Sequence, residues 1–108
     1  YGLMAGLVRL PVEGRDILLF SNIESSRARE RGTVWASFDG GKTWPVKRRI
    51  TEGGFAYSSL DAGRPGTPSE GWIYLHYEVG GGSSVSRMVR FNLSWLLDGR
   101  PVESVLKD

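Results

Sequence analysis

The sequence predicts an all-β protein built from two antiparallel sheets, and three observations carry that prediction. Fifteen glycines and five prolines punctuate the 108 residues, spaced between apolar runs as turns are spaced between strands. The runs themselves are six to eight residues long, the length of strands rather than helices. Several are apolar on both alternate faces: in 71–78, Ile73, Leu75 and Tyr77 point one way and Trp72, Tyr74 and His76 the other. A sheet of that kind needs a packed layer on each side, which adjacent blades of a β-propeller supply.

Strands are expected at about 3–10, 16–21, 33–38, 44–50, 56–61, 71–78 and 85–91. These divide as four plus three. The first four, within 3–50, make a complete antiparallel blade, and the last three make a second blade short of one strand. Propellers commonly close their ring by drawing that strand from the N-terminal end of the chain, so an incomplete last blade fits the C-terminal part of a longer propeller. The chain opens at Tyr1 rather than Met, directly into an apolar run, which carries the same expectation of sequence upstream. Residues 92–97 read as a short helical turn capped by Asn92. Blades are expected over 1–99 and a tail over 100–108.

Composition excludes several functions. Forty per cent hydrophobic and 24% charged residues describe a globular chain, not a disordered one. A net charge of +2 without a dominant basic patch argues against nucleic acid as a partner. Lys47, Arg48 and Arg49 read as a solvated strand edge. With no cysteine and a single histidine, His76, thiolate and multi-histidine metal sites are excluded, and no cofactor is expected. His76 itself reads as a packing or hydrogen-bonding residue. No membrane-spanning run is present. Asn92-Leu93-Ser94 fits a glycosylation sequon, a triplet common by chance.

One motif stands out. Ser37, Asp39, Gly41, Thr43 and Trp44 fit the Asp-box pattern S-x-D-x-G-x-T-W at every fixed position. The pattern suits a hairpin between the third and fourth strands of a blade. Asp39 can accept backbone N–H groups of the turn, Gly41 permits a positive φ, and the Trp44 ring can fold over the blade. These are scaffold roles. Asp boxes occur in several kinds of propeller, so the motif alone names an architecture.

The surrounding runs are more specific. Asp16–Asn22, Arg29–Val34, Thr43–Val46, Ala56–Leu60, Tyr77-Glu78 and Arg90–Leu93 occur in that order. Together they resemble the C-terminal third of exo-α-sialidases, from about Leu3 to Gly99. The resemblance implies a six-bladed propeller and a retaining glycoside hydrolase that removes terminal sialic acid from sialylated glycans. It implies that Tyr57, in the A-Y-S motif, is the nucleophile. Arg29 matches one of three arginines that clamp the substrate carboxylate, with Arg27 and Arg31 as rivals in the same loop. Glu78 matches a glutamate that orients another arginine of the clamp. The general base, an acid/base aspartate and the other two arginines are expected in upstream blades, so this chain alone is expected to be inactive. Its completing partners are those blades or further copies of itself.

Blade topology agrees with this assignment. Turns joining strands 1–2 and 3–4 lie at one end of an antiparallel blade, and links 2–3 and 4–1 at the other. Arg29 falls in a 2–3 link, Tyr57 near the 4–1 link, and Glu78 at the end of a second strand, so all three share one face. The Asp box falls on the opposite face. The chain departs from the family pattern at Arg31, often asparagine, at Ile23, often proline, and in the long stretch Gly63–Gly71. The alternative to an enzyme is a non-catalytic Asp-box module that binds glycans or proteins.

Overall fold

The computed structural model describes residues 5–12, 14–26, 28–80 and 85–105. The start of the first expected strand and the rival Arg27 lie outside them. The chain forms seven strands: β1 (Gly6–Arg9), β2 (Leu18–Ile23), β3 (Glu30–Ser37), β4 (Val46–Gly54), β5 (Ser58–Ala62), β6 (Ile73–Glu78) and β7 (Ser86–Phe91). They assemble as one four-stranded antiparallel sheet, β1-β2-β3-β4, and one three-stranded sheet, β5-β6-β7. This is the four-plus-three division of two propeller blades.

Alternation within the strands decides which face is buried. Leu19, Ser21 and Ile23 of β2 and Val34 and Ala36 of β3 are buried on the face turned to the second sheet, which offers Ile73, Leu75 and Tyr77 of β6. The opposite faces are more open. Phe20 lies across from Trp35 in the β2–β3 register, their rings 5.8 Å apart, while His76 of β6 is exposed.

Between the sheets a polar contact interrupts the apolar layer. The Ser21 and Ser58 hydroxyls lie 2.9 Å apart, and the Gly6 N–H donates to Ser21 Oγ. Gly6 is required here, because a Cβ would stand 2.5 Å from that hydroxyl and 2.9 Å from Leu60 N.

Strand ends shift from the sequence reading for identifiable reasons. Trp44 and Pro45 precede β4 instead of starting it, because the preceding turn extends through Thr43. At its other end β4 runs on to Gly54, paired with Glu30 through a bulged stretch of β3. The helical turn is α1 (Leu93–Leu96), whose first free N–H groups are capped as expected: Asn92 Oδ1 accepts from Trp95 N at 2.8 Å. A 3-10 turn over Val102–Val105 follows. The basic run at 47–49 lies on an edge strand but is paired, not merely solvated. Arg48 sits over the Trp95 ring, 4.1 Å from its centroid, and so fastens α1 to β4.

Candidate active site

Three strand ends converge on one edge of the two sheets. Arg29 is the last residue of the β2–β3 link, Tyr57 the last of the short link from β4 into β5, and Glu78 the last residue of β6. Backbone hydrogen bonds tie the three segments together. Phe55 N donates to Arg29 O at 2.9 Å, Ala56 N to Glu78 O at 2.7 Å, and Glu78 N to Tyr57 O at 3.0 Å. The Arg29 guanidinium carbon lies 5.7 Å from the centre of the Tyr57 ring, within cation–π range.

Beneath them lies Phe55, fully buried, with its ring 4.7 Å from that of Tyr77. The same ring covers Gly32, where a Cβ would fall 2.1 Å from it. The glycine of the Gly32-Thr33-Val34 run is therefore a packing requirement. Gly80, at φ 81°, closes the turn after Glu78 so tightly that a Cβ would contact those of Ala56 and Arg29 at 3.3 and 3.9 Å.

The side chains on this rigid floor are open to solvent. Tyr57 is 43% exposed, and Arg29 and Glu78 are exposed too. Among the described residues no carboxylate lies within ion-pairing distance of Arg29. The arrangement presents a guanidinium fork and a phenol side by side, with a carboxylate at the next strand end. A guanidinium is suited to grip an anionic ligand through two hydrogen bonds, and here it lies within reach of the Tyr57 ring.

Of the rival arginines, Arg31 has a different role. Its backbone is left-handed, φ 58°, at a register shift in the β3–β4 pairing, and its guanidinium lies 4.0 Å from the Glu30 carboxylate.

The Asp box occupies the far end of β3. Ser37 closes that eight-residue strand, so the box stands roughly 25 Å from Arg29 at about 3.3 Å per residue. Asp39 accepts from Thr43 Oγ1 at 2.6 Å, from Ser37 Oγ at 2.8 Å and from Thr43 N at 2.9 Å. The bonds from Thr43 above all hold its carboxyl down to about 2. Gly40 and Gly41 take φ of 74° and 98°, and Trp44 reaches back to Phe20, 6.1 Å between ring centres. Ser37, Asp39, Gly41 and Thr43 thus serve the turn itself, and Trp44 serves the face of the blade.

Sequence reasoning missed a cluster beside the Arg29 link. Glu24 accepts hydrogen bonds from Lys47 and, at 2.7 Å, from Arg49, which together hold its carboxyl below the usual range, Lys47 contributing most. No local signal marks it, because its members lie 23 and 25 residues apart. Among the described residues no group of three His, Asp or Glu side chains could hold a metal ion, and no helix is long and apolar enough to cross a membrane.

No protein-family model matches the chain. A sialidase from Micromonospora viridifaciens is 42% identical over 80 residues, which are 74% of this chain and 11% of the relative's length. Among solved structures, a Hadza microbial sialidase is 30% identical, with a TM-score of 0.69 over 87% of this chain and 18% of its own. The intramolecular trans-sialidase from Ruminococcus gnavus, solved with oseltamivir carboxylate, is 23% identical with a TM-score of 0.69, covering 89% of this chain and 23% of that one. A leech intramolecular trans-sialidase is 19% identical with a TM-score of 0.72, over 93% of this chain and 17% of its own. The last two likenesses show the fold alone. The chain thus spans roughly a tenth to a quarter of the length of each of these proteins.

Proposed function

We propose that this chain, which belongs to the sialidase family, supplies one side of an exo-α-sialidase active site, with Tyr57 as nucleophile, Arg29 as a clamp for the substrate carboxylate and Glu78 as support for the clamp. Residues 1–99 are then the last two blades of a six-bladed propeller and 100–108 a tail. The observation that carries the reading is the meeting of Arg29 and Tyr57, 5.7 Å apart, on a chain 42% identical to a sialidase.

The residue types suit the reaction. Sialic acid bears a carboxylate on its anomeric carbon, so a carboxylate nucleophile would be repelled. A neutral phenol avoids that repulsion, and sialidases are a known exception to the two-carboxylate rule. Arg29 holds the substrate carboxylate beside the phenol. Tyr57 Oη attacks the anomeric carbon and passes its proton to a general base. The glycosidic C–O bond breaks, and the leaving alcohol takes a proton from an acid. Water then attacks the glycosyl-tyrosine, giving up its proton, and releases sialic acid with the starting configuration. An ordinary phenol has a pKa of about 10, so the base is essential. In this reading the base, the acid/base aspartate and two further arginines come from upstream blades, and residues 1–108 alone turn over no sialoside.

The test is Tyr57→Phe in the whole protein. Turnover of a sialoside is expected to fall roughly a thousandfold or more, with the ring and its packing kept. Wild-type rates in that variant would remove Tyr57 from the mechanism.

A further inference from the structure

We infer that Glu24 is a positioning residue for Arg29, acting through the left-handed turn at Arg31; the inference rests on the clamp role proposed for Arg29. Four residues form a closed ring of hydrogen bonds. Glu24 N donates to Arg31 O at 2.9 Å, and Thr33 Oγ1 donates to the same carbonyl at 3.0 Å. Arg49 Nε reaches Thr33 Oγ1 at 3.4 Å, and the second arm of the same guanidinium returns to the Glu24 carboxylate at 2.7 Å. Both acceptor sites of the Arg31 carbonyl are thereby used, from two directions.

That carbonyl belongs to a residue in an unfavourable backbone conformation. Only glycine adopts a φ of this kind at no cost, and asparagine tolerates it better than arginine. A strained residue persists where its surroundings over-determine it, and the ring does so here. Thr33 is buried and cannot yield. Arg49 is further fixed by Glu52, with bonds of 2.9 and 3.1 Å. Two residues before the turn, Arg29 has its own carbonyl bound by Phe55 N. The backbone is thus anchored at Arg29 and again at Arg31, so the chain between them cannot turn to re-aim the Arg29 side chain without breaking one of these bonds.

A plain surface ion pair between the β2–β3 link and β4 would instead be worth little and touch no ligand. The two roles separate in the whole protein with Glu24→Gln, which keeps the backbone bond and the side-chain length but weakens the charge-assisted bonds. The expected result is a KM for a sialoside raised about three- to tenfold with kcat within about twofold, and no further rise when Glu24→Gln is added to Arg29→Ala. An unchanged KM, or two rises that multiply as independent sites do, overturns the inference. If the wild-type protein turns over no sialoside, the clamp reading fails separately, and amide exchange over residues 28–32 decides. Faster exchange in the variant sustains the positioning role, and unchanged exchange overturns it.

Discussion

The two ends of β3 are built on opposite plans. At the Asp-box end, side chains bond to one another within eight residues of sequence: Ser37, Asp39 and Thr43 satisfy each other and the turn. At the other end the order is reversed. Backbone groups of Arg29, Phe55, Ala56, Tyr57 and Glu78 bond across three separate segments, and the side-chain tips of Arg29, Tyr57 and Glu78 stay exposed. The first plan spends its polar groups on the fold. The second fixes the main chain and leaves the chemistry free, as a site on a rigid frame must.

That contrast can be broken in several ways, and the largest effect should come from Tyr57→Phe. Turnover should fall roughly a thousandfold while the melting temperature moves by no more than about 2 °C. A large loss of stability would mean that the hydroxyl serves the fold and that the two ends are alike.

Phe55→Ala should show how the free tips are held. Removing a fully buried aromatic costs about 3–5 kcal/mol, readable by denaturant unfolding. Because Phe55 fills the space over Gly32 and beneath Arg29, activity should suffer together with stability. Unfolding within about 1 kcal/mol of wild type would show that the floor collapses onto itself.

At the Asp-box end, Asp39→Ala should lower stability in a pH-dependent way. The Asp39 carboxyl sits at about 2 against an ordinary 3.8. A value lowered by folding means that the ionised group stabilises the native state above its ordinary pKa, and that this is lost as pH falls through the folded value. The gap in melting temperature between wild type and variant should be full near about pH 6 and close toward about pH 2. An equal gap at both would show that the motif works without its charge.

The smallest effect expected is a gain. Arg31→Gly relieves a left-handed arginine and should stabilise the protein by about 0.5 kcal/mol once the flexibility of glycine in the unfolded chain is offset. The denaturation midpoint decides. A loss would mean that the arginine side chain holds the link more strongly than its strain opposes it.

Much of this architecture was legible because it is local. Short apolar runs between glycine and proline turns marked the seven strands, Asn92 marked its own cap, and the eight residues from Ser37 to Trp44 carried a complete turn. Parity of the links alone brings Arg29, Tyr57 and Glu78 to one edge. What escaped was set by register between distant segments. The bulge at Glu30–Thr33 and the left-handed Arg31 follow from how β4 pairs with β3, which no window of sequence reveals. Glu24 and Arg49 meet across an intervening strand, so neither helical nor strand periodicity connects them. Gly32 read as part of a motif, whereas its cause is the Phe55 ring.

The buried serine pair has a geometric meaning for the whole unit. Two greasy sheets can slide on each other with little change in contact, but Ser21 and Ser58 meet only at one setting. Ser58 is the residue next to Tyr57 in the chain, so the pin and the phenol are carried by one short stretch of backbone. It acts as the fulcrum of the blade pair: any slip there would be passed straight to the gap between Arg29, carried by one sheet, and Tyr57, carried by the other.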